Sequence, residues 1–321
     1  MNIIVMMISI FSKTKKSLGW LVLELQTDGI CVLHLTTGNP PQVQFALFYP
    51  LTQDDIPVVL LRINKALQLN HYHCSHLLSQ NDYQISLIET PNVPREELKT
   101  AVRWLLKDML DYHVDDATID VLDIPIDKSM NTRKAMMYVI SARDQLIAQR
   151  QAWFNSAKIP VTVIDIPELA QRNIANLITP AGRGIALLSL NSSGCLLTIS
   201  YQDELYLSRR LDIQLTQLDT LPSEQKQFIL DKVSLELQRT FDHIDRQYNF
   251  ISLAKLVVTP PVAEGAELMA YLSANLHIPA ESLDLSTLFD FSLSPELQAP
   301  AQQMRFQMCL GAALRDEGKT P

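Results

Sequence analysis

Short apolar runs predict a β-hairpin at the start of the chain. Residues 21–25 and 30–35 are apolar runs of strand length, and Gln26-Thr27-Asp28-Gly29 lies between them. An Asp-Gly pair between two such runs is typical of a hairpin turn. Residues 43–48 form a further apolar run that extends the hairpin to three strands.

Helical spacing follows in two places. Residues 56–69 repeat apolar side chains at helical intervals. A second helix is predicted to open at Pro94, because proline suits the first turn of a helix. One face of this helix is expected to hold Leu98, Val102, Leu105, Leu106 and Met109. Spacing and turn residues also predict strands at 85–88, 119–124, 135–140 and 161–166, a helix from a Ser141 capping box through Phe154, and a helix over 167–178.

The pattern of the first hairpin recurs 165 positions later. Leu23-Glu24-Leu25-Gln26-Thr27-Asp28-Gly29 aligns with Leu188-Ser189-Leu190-Asn191-Ser192-Ser193-Gly194, and only the two acidic positions differ in type. Strands at 196–201, 205–209 and 256–259 and a long helix over 223–249 complete the second copy. Two such copies, with extra α/β material in the first, form the layout of the actin-like fold, a duplicated ribonuclease-H-like α/β fold.

A domain boundary is predicted at the turn residues Thr179-Pro180-Ala181-Gly182. We therefore predict an N-terminal tail over 1–16 and a first actin-like domain over 17–180, with an inserted α/β subdomain at about 83–160. The second actin-like domain is predicted over 181–317.

Composition and charge disfavour some classes of ligand and of fold. The 321 residues include 27 Lys and Arg against 35 Asp and Glu, a net charge of −8. Because a nucleic-acid ligand requires a basic surface, this class of partner is disfavoured. The chain has 9 glycines, whereas ordinary usage gives about 22 in this length. Folds that hold phosphate on several glycine-rich loops are therefore disfavoured, and four dispersed cysteines are typical of reduced, buried thiols.

The first residues combine an apolar run with lysines. Met1 to Phe11 are largely apolar, and Lys13, Lys15 and Lys16 follow. The run is too short to span a bilayer, and a signal peptide would place its positive charges before the apolar stretch. A strand-forming or unstructured tail is favoured over a segment that lies in a membrane surface. Met7 offers a second start position.

Ordered landmarks along the chain resemble one protein family. They are Phe11 to Gly19, Pro94 to Trp104, Ile164 to Ala170, Gln238 to Asp242 and Cys309 to Arg315. In this order they are similar to the PilM family, the cytoplasmic actin-like proteins of type IV pilus assembly, and more narrowly to its members from mannose-sensitive haemagglutinin (MSHA) pilus systems. The resemblance covers roughly residues 11 to 315.

The resemblance implies a non-catalytic scaffold at the cytoplasmic face of the inner membrane. Its implied partners are a PilN-like single-span inner-membrane protein, MshJ-like in MSHA systems, and other pilus assembly proteins, with no nucleic acid and no membrane span of its own. The partner's cytoplasmic tail is expected to bind between the first actin-like domain and the insert, near the helix at 94–110. A cytoplasmic part of a type II secretion component is a related alternative, which would carry a downstream membrane span.

The resemblance also implies where a nucleotide would lie. Actin-like ATPases hold phosphates with two hairpin turns that carry an acidic residue and a close-packed glycine, and the carboxylates hold Mg²⁺ through water. In the first turn the family's Asp matches Glu24, and its glycine matches Gln26. Thr27 and Asp28 follow, and a carboxylate at Asp28 would repel phosphate.

The second turn departs further from the family pattern. The family's Asp matches Ser189, and its glycine matches Asn191, with Ser192 and Ser193 behind it. Loss of the carboxylate at Ser189 would weaken Mg²⁺ binding.

The turn that would admit adenosine reads Thr259-Pro260-Pro261-Val262. Its prolines lack the N–H donors that a nucleotide would use. These departures predict a pseudo-ATPase with a vestigial nucleotide cleft, no bound cofactor and no catalytic residue. The alternative is an actin-like ATPase or sugar-kinase relative that still binds Mg-ATP, for which Glu24 is the motivation.

Other candidate sites are weaker. His71-Tyr72-His73-Cys74-Ser75-His76 offers imidazole and thiol ligands for a transition metal but no matching distant ligand. Ser192-Ser193-Gly194 lacks the first glycine of a nucleophile elbow. The acidic residues between Asp111 and Asp127 lack the central Gly and terminal Glu of a calcium loop, so no metal site is expected.

Overall fold

A five-stranded sheet forms the first half of the chain. The computed structural model describes residues 18–51, 55–125, 134–191, 194–211, 222–261 and 266–315, so the predicted tail lies outside them. The strands are β1 (Trp20–Leu25), β2 (Gly29–Thr36), β3 (Gln42–Pro50), β4 (His73–Leu77) and β8 (Val161–Asp165), in the order β3-β2-β1-β4-β8. The first three are antiparallel, and β4 and β8 run parallel to β1.

The second half repeats this plan. Its strands are β9 (Gly184–Asn191), β10 (Gly194–Tyr201), β11 (Glu204–Leu211), β12 (Leu253–Thr259) and β13 (Ala280–Ser282), in the order β11-β10-β9-β12-β13. Again three antiparallel strands precede two parallel ones. The internal repeat predicted from the two hairpin sequences is therefore confirmed, and strand β12 aligns with β4.

In the sequence, a three-stranded sheet is inserted between β4 and β8, which pair directly with each other in the first sheet. It consists of β5 (Tyr83–Glu89), β6 (Ala117–Asp123) and β7 (Met136–Arg143), in the order β5-β7-β6. Helix α2 (Arg95–Leu106) covers one face through buried Leu98, Val102 and Leu106. Leu105 and Met109 were predicted on that buried face but are 48% and 44% exposed. The prediction was wrong for these two residues: the helix ends at Leu106, before Met109, and its buried side chains are those of Leu98, Val102 and Leu106.

Helices cover the two larger sheets. They are α1 (Ile56–Leu67), α3 (Asp144–Ser156), α4 (Pro167–Ile178), α5 (Ser223–Gln247), α6 (Ala266–Asn275) and α7 (Pro300–Ala313). The predicted capping box at Ser141 is wrong, because Ser141 is buried within β7 and Arg143 precedes the first turn of α3. Phe154 of α3 packs in the core of the first sheet with Leu60 and Ile63 of α1.

Helices α4 and α7 lie between the two large sheets. Their buried residues share one apolar cluster with Val22 and Leu33 of the first sheet and with Leu187 and Val257 of the second. Helix α7, the last helix of the described residues, therefore packs against β1 and β2, the first described strands. In the described residues, no helix is both long and apolar enough to cross a bilayer.

Candidate functional site

The first predicted phosphate turn connects β1 to β2. Its backbone is closed by a hydrogen bond from Gln26 N to Gly29 O of 2.8 Å. Gly29 is required here, because a Cβ at this position would lie 2.3 Å from the Phe48 ring and 2.6 Å from the Tyr49 carbonyl oxygen. Thr27 and Asp28 are exposed at the tip of the turn.

Glu24 lies at the base of this turn, and its carboxylate is hydrogen-bonded to other side chains of the protein. Its Oε2 accepts hydrogen bonds from Gln26 Nε2 at 3.1 Å and from the Cys309 thiol at 3.3 Å. Burial raises the pKa of Glu24, and the bonds from Cys309 and Gln26 oppose that rise in part. The carboxylate that matches the family's Asp is therefore held by a side chain of α7.

Arg305 of α7 occupies the space beside the turn. Its Nη1 lies 2.9 Å from Asp28 Oδ2 and 3.2 Å from Gln26 Oε1, and its backbone oxygen accepts from Gln26 Nε2 at 3.1 Å. The guanidinium stacks 3.9 Å from the centroid of the Phe48 ring. The guanidinium of Arg305 thus forms an ion pair with Asp28, the carboxylate that is predicted from the sequence to repel phosphate. The sequence carries no signal for this pair, whose members are 277 positions apart.

At the second predicted phosphate turn, the side chain of Ser189 is also hydrogen-bonded within the protein. Ser189 is fully buried and donates to Gln171 Oε1 at 2.7 Å, while Gln171 Nε2 donates to the Leu187 and Leu196 carbonyl oxygens at 2.5 and 3.0 Å. The serine that replaces the family's acid therefore fixes α4 to the second hairpin. The side chain of Asn191 and all of Ser192 and Ser193 lie outside the described residues.

Thr259 ends β12 beside Ser189, its partner in the parallel ladder. It is fully buried, and within the described part of the chain its hydroxyl has no hydrogen-bond partner. The structure thus brings Glu24, Gln26 and Asp28 together around Arg305, and Ser189 and Thr259 together at the end of the second sheet.

The histidine-rich segment forms β4 in the centre of the first sheet. His76 is buried, its Nδ1 donates to the Leu23 carbonyl oxygen at 3.0 Å, and burial lowers its pKa to about 4. Among the described residues, no group of three or more His, Cys, Asp or Glu side chains is placed to hold a metal ion. The four cysteines all lie in the described part of the chain, where they are buried and form no disulfide.

A separate groove lies between the three-stranded sheet and the first large sheet. Its volume is about 210 Å³, and its walls come from β6 and β7 on one side and from β8 and the start of α4 on the other. Most of its lining is apolar, including Leu122, Ile140, Ile147, Ile164, Ile166 and Leu169. Helix α2 covers the opposite face of the three-stranded sheet, so this groove is distinct from the surface near the helix at 94–110, where the sequence predicts that the partner's tail binds.

Each wall of this groove includes an edge strand of a sheet. In the described strand order, β6 is an outer strand of the three-stranded sheet and β8 is an outer strand of the first sheet. An edge strand presents backbone N–H and C=O groups to a further strand, so an extended peptide can pair with it while apolar side chains fill the groove.

An ion pair lies in the lining of the groove. Asp165 Oδ2 lies 3.0 Å from Arg315 Nη1, and the two side chains are 2% and 19% exposed. Burial raises the pKa of Asp165, while Arg315 and the backbone N–H of Ile166 act in the opposite direction. Both residues line the groove, as do Thr118 and Asp120, so a ligand there meets this charged pair as well as the apolar side chains.

A hydrogen-bonded network near the groove connects β5 and α4 to β11 of the second half of the chain. Glu168 of α4 is fully buried, accepts a hydrogen bond from the Tyr83 hydroxyl of β5, and pairs with Arg210 Nη2 of β11 at 3.2 Å. The Arg210 guanidinium also lies over the Tyr83 ring at 4.8 Å. Burial and the neighbouring Glu168 raise the pKa of Tyr83, so its proton stays on the hydroxyl.

Solved structures share this architecture over almost the whole chain. A structure described as a PilM-PilN type IV pilus biogenesis complex matches with a TM-score of 0.69 and 18% identity, over 93% of this chain and 98% of that one. The fold is actin-like. A Bacteroides thetaiotaomicron protein with an actin-like ATPase fold matches with a TM-score of 0.50 and 11% identity, over 90% and 98% of the two chains.

The cytoplasmic domain of EpsL, an inner-membrane component of the type II secretion system of Vibrio cholerae, matches with a TM-score of 0.50 and 12% identity, over 92% and 95%. No family model matches the sequence. No curated protein matches it either. At these identities the likeness concerns the actin-like fold, which includes the insert in the first half.

Proposed function

We propose that this chain is a non-catalytic scaffold of a type IV pilus assembly platform, of the MSHA type and equivalent to MshI. It binds the cytoplasmic tail of a PilN-like, MshJ-like single-span protein at the inner face of the inner membrane. The observation that carries the proposal is the apolar groove between edge strands β6 and β8. It is supported by the match to a PilM-PilN complex over nearly the whole chain.

The groove suits a short extended segment with apolar side chains. Its walls combine strand edges with Leu122, Ile140 and Leu169, so backbone pairing supplies affinity and the apolar pockets select side chains. A groove of this volume accommodates a few side chains rather than a folded domain, which agrees with a terminal tail as the ligand.

Leu169→Lys is expected to weaken binding of the partner's tail peptide by at least tenfold, because it places a charge where an apolar side chain of the peptide would be buried. The measurement is fluorescence anisotropy with a labelled peptide at micromolar concentration. Leu177→Lys is the matched control, since Leu177 lies on the same helix and is 44% exposed outside the groove lining. Equal affinities for both variants and the parent, or no binding by the parent, would contradict the proposal.

We further infer that the cleft between the hairpin turns does not use ATP. Arg305 is paired with Asp28, and the hydroxyl of Ser189 is bonded to Gln171. The groups that would face phosphate and Mg²⁺ are thereby engaged within the protein. The pseudo-ATPase assignment rests on this engagement and on the altered turn residues.

Millimolar Mg-ATP is expected to leave the thermal unfolding midpoint unchanged, whereas the tail peptide raises it. A ligand at about 100 times its Kd stabilises the protein that binds it by about 2.7 kcal/mol, a rise of several degrees. A Mg²⁺-dependent rise with ATP, or hydrolysis abolished by changing Glu24 or Ser189, would instead support the alternative of a nucleotide-binding actin-like enzyme.

A further inference from the structure

Strand β3 is an outer strand of the first sheet, and it differs from the other outer strands in the described part of the chain. β5, β6, β8, β11 and β13 each contain at least one Asp, Glu or Arg, whereas β3 (Gln42–Pro50) contains no charged residue and is the longest among them. Charged side chains on an edge strand are a common means of preventing its pairing with another chain. This protection is therefore missing from β3.

The backbone of β3 faces outward at Ala46 and Phe48. In an antiparallel pair, successive residues direct their N–H and C=O groups alternately toward the partner strand and away from it. Leu51 N donates to Asp28 O at 2.9 Å, so the odd-numbered positions back to Phe45 face β2. Residues 46 and 48 therefore face away from the sheet, and in the described structure no backbone group of another segment bonds to them.

Two features limit the part of β3 that can accept another strand. The segment at Asp290 lies against the start of β3, where the Asp290 backbone oxygen accepts from Val43 N at 3.0 Å. At its other end, β3 stops at Pro50. The free edge therefore comprises residues 44–50, and its midpoint is Leu47.

This free edge is complementary to a second copy of itself. When two copies pair antiparallel about the midpoint, Leu47 faces Leu47 of the other copy. Phe45 then faces Tyr49, and Ala46 faces Phe48, so that the outward-facing positions exchange backbone hydrogen bonds. Aromatic and apolar pairs that lie directly opposite each other stabilise antiparallel strands. No like charges meet, because the strand contains no charged residue.

We propose that two copies of this chain associate through their β3 edges, which joins their first sheets into one continuous sheet across a two-fold axis at Leu47. An identical strand matches the free edge in length, register and absence of charge. Chains of net charge −8 repel each other, so an uncharged edge is where they approach most easily. The groove beside β8 lies at the opposite edge of the first sheet, and this inference does not depend on the proposed partner.

The test is sedimentation equilibrium of the purified full chain at concentrations from about 1 to about 500 µM, which bracket the affinity of a weak interface. The average molar mass is expected to rise from 36.3 kDa toward twice that value. A dissociation constant on the order of 10 µM is expected, because two paired strands form a small interface. Hydrogen exchange at the Ala46 and Phe48 amides is expected to be about tenfold slower at the highest concentration than at the lowest, because pairing protects them.

Leu47→Lys is expected to weaken this association by about tenfold, since it places like charges opposite each other at the two-fold axis. Leu87→Lys is the matched control, because Leu87 is 43% exposed on the outer strand β5, which is not part of the proposed interface. This control is expected to associate like the parent.

An equal mixture of the Leu47→Lys and Leu47→Glu variants tests the register. Opposite charges meet at the axis only in the mixture, so the mixture is expected to recover the dimer that each variant loses. A monomeric parent, unchanged exchange at Ala46 and Phe48, retained association by Leu47→Lys, or no recovery in a mixture of folded variants would overturn the proposal. Peptide binding at the groove is measured separately, so either result can fail without the other.

Discussion

Gly311→Ala is expected to lower the free energy of unfolding by about 3 kcal/mol, near the upper end for overpacking in a core. An added Cβ would lie 2.1 Å from the Ala170 carbonyl oxygen and 2.6 Å from its carbonyl carbon. Both are backbone atoms of α4, so no side chain can rotate away. Asn173 Nδ2 also donates to the Gly311 oxygen at 3.0 Å, which holds the two helices at this distance.

Urea unfolding followed by circular dichroism measures this loss. Gly182→Ala is a suitable comparison, because Gly182 has a φ of 70° but nothing within 4 Å of its added Cβ. Backbone strain alone is expected to cost about 1 kcal/mol there. A loss at Gly311 no larger than the loss at Gly182 would show that α4 and α7 are not packed as described.

Arg315→Ala is expected to lower the free energy of unfolding by about 3 kcal/mol at neutral pH, because it leaves the buried carboxylate of Asp165 without its partner. The loss depends on pH in a defined direction. Without Arg315, burial raises the pKa of Asp165 further above its unfolded value. Stability is then retained at low pH, where both states are protonated, and is lost as the pH rises above the unfolded pKa toward the raised one.

The measurement is a set of urea unfolding curves between pH 4 and pH 8 for the parent and the variant. The difference between them is expected to widen as the pH rises. The double variant Arg315→Met with Asp165→Asn removes both charges and is expected to recover part of the loss. A pH-independent difference, or no recovery in the double variant, would contradict a buried ion pair between Asp165 and Arg315.

Local signals in the sequence were sufficient to predict many of the helices and strands. The Asp-Gly turn placed the first hairpin, and Pro167 at the first turn placed α4 with its observed bounds. Buried strand β4 was less visible, because His73-Cys74-Ser75-His76 lacks an apolar pattern. His76 is accommodated there as a buried, neutral ring that is hydrogen-bonded to the carbonyl oxygen of Leu23 in the adjacent strand. This hydrogen bond becomes evident only when the pairing of the two strands is known.

The candidate sites were less predictable because they depend on distant partners. The altered turn residues Gln26 and Asp28 were identified in the sequence, but the reason for their presence lies in Arg305 of the last helix. Similarly, the groove is lined by β6 and β7 of the insert and by β8 and α4 of the first half, which lie far apart in the sequence. Periodicity reports which face of an element is apolar, and it does not report which edges become neighbours.

The position of α7 has a consequence for how the molecule can be divided. This helix is the last described element of the sequence, yet its buried Phe306 and Leu310 share a cluster with Val22 and Leu33 of the first strands. Cutting the chain at the Pro180 boundary would strip the first half of that cover and expose its inner sheet face to water. The two repeats therefore share one apolar core, to which α7 contributes side chains that both sheets need for burial.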